Sequence, residues 1–181
     1  LGVALPTSTP HRHDLGLRRH LGGDAEALIV HCGRLSPEKH PERSVDTVAA
    51  LRRDGVDARL VVAGDGPRRA AMARRATGLP VTFLGFVPDR SRLATLLASA
   101  DVSIAPGPHE TFGLSALEAL ASGTRVVVSA SSALPEIVAG PAGAAAVDDA
   151  GAFAAAVAAL LDADAEAGRC AARQRAAGPR R

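Results

Sequence analysis

Five apolar runs, LIVHCG (28–33), ARLVVAG (58–64), VTFLGF (81–86), DVSIAP (101–106) and RVVVSA (125–130), recur along the chain, each followed by a stretch of helical character. Their apolar residues are mostly continuous rather than alternating, which is the pattern of strands buried on both faces. Strands separated by helix-length segments pair in parallel through crossover helices. This pattern restricts the chain to an α/β fold with a doubly wound, Rossmann-like parallel sheet. A weaker sixth strand is expected at 143–147. Helices are expected after Pro41, with Val45, Val48 and Leu51 on one stripe, and after Pro67. Others are expected over 90–99 and 113–122, briefly near 134–139, over 150–162 and near 164–176. The first 25 residues read as loop, and the end, AARQRAAGPRR, reads as frayed.

With 181 residues, 47% of them apolar and 22% charged, the chain can build one domain with a sizeable core. No apolar run approaches the length of a membrane span; the alanine-rich tract 151–161 is too short. The opening lacks the basic-then-apolar order of a signal peptide and has no initiator Met, so the chain is expected to begin inside a larger protein. Cys32 in a strand and Cys170 in a late helix suggest reduced, intracellular thiols. A net charge of +2 is too small to imply a nucleic-acid partner, and 2% aromatic residues without Trp or Tyr offer no stacking platform. His11 and His13 form an H-x-H pair, but no Cys or carboxylate cluster accompanies it, and no metal site is expected.

Ligands of a doubly wound sheet bind beyond the carboxyl ends of its strands, so the loops that leave the strands carry the chemistry. The first is Gly33-Arg34-Leu35-Ser36-Pro37-Glu38-Lys39. Gly33 allows close backbone approach, Arg34 can fork onto phosphate oxygens, and Lys39 can act as a point charge. The same two cations could equally be solvated surface groups. Gly64-Asp65-Gly66-Pro67 lacks the third glycine of a dinucleotide fingerprint and reads as a turn with Pro at the first helical position. The fourth loop leads into ETFGLSALE. Backbone amides of Thr111, Phe112, Gly113 and Leu114 are available at that helix start, and Gly113 leaves room for a ligand. Leu114, Leu117 and Ala121 share an apolar stripe expected to face the sheet, and Ser115, Glu118 and Ser122 a polar one. Glu118 can be read as a carboxylate complementing the helix dipole. Glu110, just before the helix, can accept two hydroxyl protons, as a sugar ring offers.

Taken together, GRLSPEKHPE, LVVAGDGP, VTFLGFVP, LLASADVSIAP, ETFGLSALEALASGT and SSALPEIV, in that order, resemble the retaining glycosyltransferases of family 4, which have the GT-B fold. The resemblance covers roughly residues 25–165 and concerns the second, donor-binding domain of such enzymes. It implies a partial linker from a missing N-terminal domain at 1–24, a nucleotide-sugar-binding domain at 25–165, and a helix remnant with a frayed tail at 166–181. It also implies retaining transfer of a hexosyl group from a GDP- or UDP-linked donor to a lipid or carbohydrate acceptor, usually without metal and with no cofactor. Arg34 and Lys39 would bind the diphosphate and neutralise the leaving group. Glu118 would accept from ribose hydroxyls. Glu110 would hold hydroxyls of the transferred sugar and support positive charge near its anomeric carbon. Gly33 would admit the ligand, and amides of Phe112, Gly113 and Leu114 would contact sugar and phosphate. Thr124 would lie near the distal phosphate, and the Phe86-Val87-Pro88 loop would edge the base, Val87 among its contacts.

Around HETFGLSALEALASGT the resemblance leans toward actinobacterial mannosyltransferases that use GDP-mannose on membrane phosphoinositol lipids. The acceptor would bind mainly to the missing domain. A cytoplasmic location follows, at the inner face of the plasma membrane, with peripheral membrane association of the full-length protein. Three departures stand out: Arg125 replaces the usual Pro, Ser131-Ser132-Ala133 replaces a segment often rich in glycine, and the chain ends before the crossing helix. Two other readings stay open, a GT-B sugar-nucleotide epimerase and a non-catalytic sugar-nucleotide-binding module.

Overall fold

The computed structural model describes residues 8–177 apart from 111, 139 and 164; of residues 165, 166 and 177 only the backbone is described. Six strands form one sheet: β1 (Ala27–Cys32), β2 (Ala58–Ala63), β3 (Val81–Gly85), β4 (Val102–Ala105), β5 (Arg125–Ser129) and β6 (Gly143–Ala146). All pairings are parallel, in the order β3-β2-β1-β4-β5-β6. Among the described residues seven α-helices accompany them: α1 (Leu15–Gly22), α2 (Glu42–Arg53), α3 (Arg69–Arg75), α4 (Arg90–Ala98), α5 (Leu114–Ala121), α6 (Ala150–Asp162) and α7 (Ala165–Ala177).

The continuous apolar runs are explained by a core on each face of the sheet. Ala27 and Ile29 of β1 join Leu60, Val62 and Ile104 beneath α2, α3 and α6, where Val45, Val48, Leu51, Met72 and Phe153 are buried. Leu28 and Val30 of the same strand face the other way, with Val61, Val126 and Val128, against Leu21 of α1, Leu97 of α4, Leu120 of α5 and Ala172 of α7. Each fully buried Leu, Ile or Val contributes about 1.5–3 kcal/mol relative to exposure. A polar residue within β1 is therefore buried whichever way it faces and needs a hydrogen-bond partner, as His31 finds in Ser44.

Four local expectations are corrected. The early segment is not all loop: Asp14 accepts from the Leu17 amide at 3.0 Å and caps α1, whose Arg18 pairs with Asp101 at 2.9 Å. Its apolar residues Leu17 and Leu21, four apart, are interleaved with Arg18, Arg19 and His20, which masked the stripe; residues 1–7 lie outside the described chain. The segment AARQRAA at the other end belongs to α7, with Ala172 fully buried; residues 178–181 lie outside the described chain. Pro67 does not open a helix directly. It sits in a turn docked on the β1 loop, where the Arg68 amide donates to the Leu35 carbonyl at 2.9 Å, and α3 starts at Arg69. Near 134–139 there is one 3-10 turn, Leu134–Glu136, with Ala139 outside the described residues.

The strand order has a functional consequence. From β1 the chain winds outward to β2 and β3, then crosses back to place β4 on the other side of β1. The loops leaving β1 and β4 therefore diverge at a switch point, and a crevice opens between them.

Candidate functional site

A cleft of about 400 Å³ occupies that crevice. From the β1 loop it receives Gly33, Arg34 and Lys39; from the β4 loop and the start of α5 it receives Glu110, Phe112, Gly113, Leu114, Ser115 and Glu118. Nine of the ten anticipated site residues touch this cleft or its neighbour. Val87 lines an adjoining pocket of about 330 Å³ that shares Cys32, Gly33 and Arg34, at the end away from Lys39 and Glu110. Thr124 is the exception and is corrected here. It precedes β5, so it lies at the amino edge of the sheet, opposite the cleft; it is buried and its hydroxyl donates to the Leu97 carbonyl. The amide of Thr111 lies outside the described residues.

The β1 loop is held by close backbone contact. The Leu35 amide donates to the Asp65 carbonyl at 2.9 Å. A methyl group on Gly64 would sit 1.9 Å from the Gly33 carbonyl oxygen, so a glycine is required where the two loops cross. The cleft's second wall also comes close, since a Cβ on Gly107 would lie 3.1 Å from the Lys39 Cα. The backbone around Arg34 and Lys39 is thereby fixed. Among the described residues Arg34 forms no hydrogen bond or ion pair and is exposed to the cleft, whereas Lys39 donates to Glu110.

Glu110 serves the fold as well as the cleft. Its Oε1 accepts from the Gly113 amide at 3.1 Å, so it caps α5 from outside the helix. Burial pushes its carboxyl up, but the Lys39 ammonium and the Gly113 and Phe112 amides together outweigh that and hold it below the usual carboxylate range. It is therefore ionised and ready to accept. The Gly113 amide is already used, which leaves the following amides at the helix start for a ligand. Gly113 itself has φ 59°, and a Cβ there would meet Leu134 at 2.5 Å; its glycine is demanded by the backbone and by packing.

The phase of α5 differs from expectation. Ala116, Ala119 and Leu120 face the core, while Leu114 is 47% exposed and lines the cleft beside Ser115 and Glu118. The small alanines let the helix approach the sheet closely, and this turns Leu114 outward. Glu118 is shielded and pairs with Arg90, the first residue of α4, at 2.7 Å.

Three side chains at the cleft were not anticipated. Arg90 lines it from the third wall. His31, on β1, lies beneath it; its Nδ1 is 2.9 Å from the Ser44 hydroxyl, and burial pulls its pKa down to about 4, so the ring is neutral. Its only sequence signal was a polar residue inside an apolar strand. Cys32 is next along, and burial, with the charge of Glu118, pushes its thiol up to about 12. Cys170 is exposed on α7. Alkylation with iodoacetamide at neutral pH should therefore label Cys170 and spare Cys32, because the thiolate is the nucleophile. Peptide mass mapping reads the ratio; equal labelling would contradict the protonated state of Cys32.

The departures from the family pattern also have physical accounts. The buried Arg125 donates to the carbonyl of Leu160 and lies 3.5 Å from that of Ala163, so it caps the end of α6. Ser132 donates to the Ser129 carbonyl at 2.7 Å, and the Ala133 amide donates to the Glu110 carbonyl at 3.0 Å, so this segment braces the Glu110 loop.

The family described as glycosyl transferases group 1 matches residues 26–163. The GDP-mannose-dependent alpha-(1-6)-phosphatidylinositol dimannoside mannosyltransferase of Mycobacterium tuberculosis (strain H37Ra) is 59% identical over 144 residues, which are 80% of this chain and 38% of that protein. This chain thus spans well under half the length of that relative. Among solved structures, the C-terminal domain of a group 1 glycosyl transferase (LpcC) from Francisella tularensis superimposes with a TM-score of 0.75 at 21% identity, covering 97% of this chain and 94% of that one. Anabaena HepE in complex with UDP-glucose superimposes with a TM-score of 0.79 at 22% identity, covering 97% of this chain and 50% of that one. At such identities the structures speak for the fold. The match across residues 26–163 and the 59% identical relative settle the family: the chain belongs to the group 1 glycosyltransferases, with the α/β fold of their C-terminal domain.

Proposed function

We propose that this chain is the donor-binding part of a retaining mannosyltransferase that takes mannose from GDP-mannose and delivers it to a phosphatidylinositol-linked mannoside. The observation that carries this reading is the convergence of two cations and two carboxylates, Arg34, Lys39, Glu110 and Glu118, in one cleft at the β1/β4 switch point. The name of the 59% identical relative supplies the donor and acceptor chemistry. The epimerase and binding-module readings have no observation of their own in their favour.

In this reading residues 25–165 hold the donor. The base lies against Val87, the ribose hydroxyls donate to Glu118, and the diphosphate meets Arg34, Lys39 and the amides at the start of α5. The hexose hydroxyls donate to Glu110. When the bond between the sugar carbon and the phosphate oxygen breaks, the nucleoside diphosphate keeps the electron pair. Arg34 and Lys39 stabilise that negative charge, and the Glu110 carboxylate lies toward the positive charge on the ring. The acceptor oxygen forms the new bond and its proton goes to the departing phosphate. No described helix is long and apolar enough to cross a membrane. The lipid acceptor named for the relative would be met at a membrane surface, by peripheral association of the full-length enzyme.

A panel of GDP-mannose, GDP, UDP-glucose and UDP, each scanned for its effect on melting temperature, tests this. Ligand at a hundred times its Kd stabilises by about 2.7 kcal/mol, and GDP-mannose should give the largest rise, of several degrees. No shift from any of the four at millimolar concentration would sink the reading. A larger rise with UDP-glucose would move the assignment of the donor.

A further inference from the structure

We propose that Arg90 is a third cation of the diphosphate site, paired in this structure with the carboxylate that receives the ribose. This rests on the donor-site reading above and extends it to a residue that neither the family resemblance nor the relatives' names assign.

Three observations carry it. First, Arg90 enters the same cleft as Arg34 and Lys39, from the start of α4, just after the loop that leaves β3. Second, the charges of the cleft are paired in a particular way. Lys39 sits on Glu110 and Arg90 on Glu118, the latter at 2.7 Å, while Arg34 makes no hydrogen bond or ion pair among the described residues. Both carboxylates wanted by sugar hydroxyls are thus occupied by cations wanted by phosphates. A nucleotide sugar carries both kinds of group and can exchange both pairs at once: hydroxyls replace the cations on Glu110 and Glu118, and the released ammonium and guanidinium turn to the diphosphate. Third, Arg90 is badly placed for the fold alone. It is the first residue of α4, whose amino end already carries positive partial charge, and the first turn holds no acidic residue besides the capping Asp89. Its side chain is 72% exposed, so its pairing with Glu118 is screened and weakly stabilising. A cation set against the helix dipole and held by a weak ion pair is readily transferred to a stronger anion. A ribose and its 5′-phosphate are close enough for one long guanidinium side chain to serve both positions.

Partner exchange makes a prediction of opposite signs. Arg90→Ala should weaken GDP about tenfold, the scale of one charge-assisted hydrogen bond. The same substitution should tighten guanosine two- to fivefold, about the loss of one exposed ion pair, because guanosine has no phosphate and meets an unmasked Glu118. Arg90→Lys, which keeps the charge without the fork, should fall between parent and alanine variant for GDP. Titration calorimetry of the three proteins with both ligands reads this directly. Equal weakening of GDP and guanosine would overturn the proposal and leave Arg90 as a residue that merely orients Glu118. Unchanged GDP affinity would overturn it as well. If the parent protein binds neither ligand while remaining folded, the donor-site reading fails and this proposal falls with it; a parent that binds GDP while Arg90→Ala shows no contrast removes only the role of Arg90.

Discussion

Replacing Lys39 by methionine should weaken GDP binding about a hundredfold while the fold remains. The stem stays, so its packing beside Gly107 survives, and only the ammonium is lost. A hydrogen bond to a charged group contributes about 1.5–3 kcal/mol, and about 2.7 kcal/mol is a hundredfold in affinity. The upper part of that range applies because Lys39 stands in a shielded part of the cleft. The loss has a second consequence at Glu110. With the ammonium gone, burial opposes ionisation and only the two amides resist it, so the carboxyl rises. Binding of the intact sugar donor by the Lys39→Met variant should then fall off at mildly acidic pH, where the parent is still flat. Glu110→Gln is the matching control. It frees Lys39 from its partner and can still accept from the Gly113 amide, so GDP affinity should hold or improve slightly while GDP-mannose affinity falls about tenfold. Calorimetry on the two variants with the two ligands gives four values. If Lys39→Met binds GDP as well as the parent does, Lys39 is the structural partner of Glu110 and no phosphate ligand.

How much of this was legible beforehand differs residue by residue. Strands β1, β2 and β4 were legible because burial on both faces requires apolar runs at 28–33, 58–64 and 101–106 that few helices of this size would show, whereas the edge strand β3, expected to be buried on both faces, alternates between half-buried and exposed residues. Their lateral order was not, because it is decided by which helices cross which face. Yet that order is what brings the Arg34 loop and the Glu110 loop together. Glu110 stood out in the sequence as a candidate ligand group, but its bond to the Gly113 amide depends on the left-handed turn at Gly113, which is a tertiary requirement set by Leu134. The phase of α5 was misread because leucines were taken to outrank alanines for the core, whereas close approach to the sheet favours Ala116 and Ala119. Thr124 could have been placed correctly from sequence. A residue that enters a parallel strand lies at the amino edge, and the ligand side is the other one. Arg90 was beyond reach, since its neighbour Glu118 lies 28 positions away on another helix.

Lowering the pH from 7 to 4 should cost the folded protein about 3 kcal/mol through His31 alone. The ring is held between β1 and α2 beneath the cleft floor, and burial pulls its pKa from 6.5 to about 4, with Glu42 opposing weakly. In the unfolded chain the ring takes up a proton as the pH falls below 6.5, while in the folded protein it stays neutral until about 4. The unfolded state therefore binds more protons throughout this window, and stability falls as the pH falls. The contribution is fully present above pH 6.5, declines between 6.5 and 4, and changes no further below that. Carboxylates held low, such as Glu110 and Asp148, add their own acid loss, but they do so in any variant that keeps them. His31→Gln isolates the effect: the amide can still meet the Ser44 hydroxyl and cannot titrate. Urea unfolding of parent and variant at pH 7, 5.5 and 4 gives the difference in stability at each pH. That difference should shift in favour of the variant by about 3 kcal/mol from the first pH to the last. A difference that stays constant across the series would mean that His31 protonates as easily folded as unfolded, and that the ring is not sealed under the cleft as its burial requires.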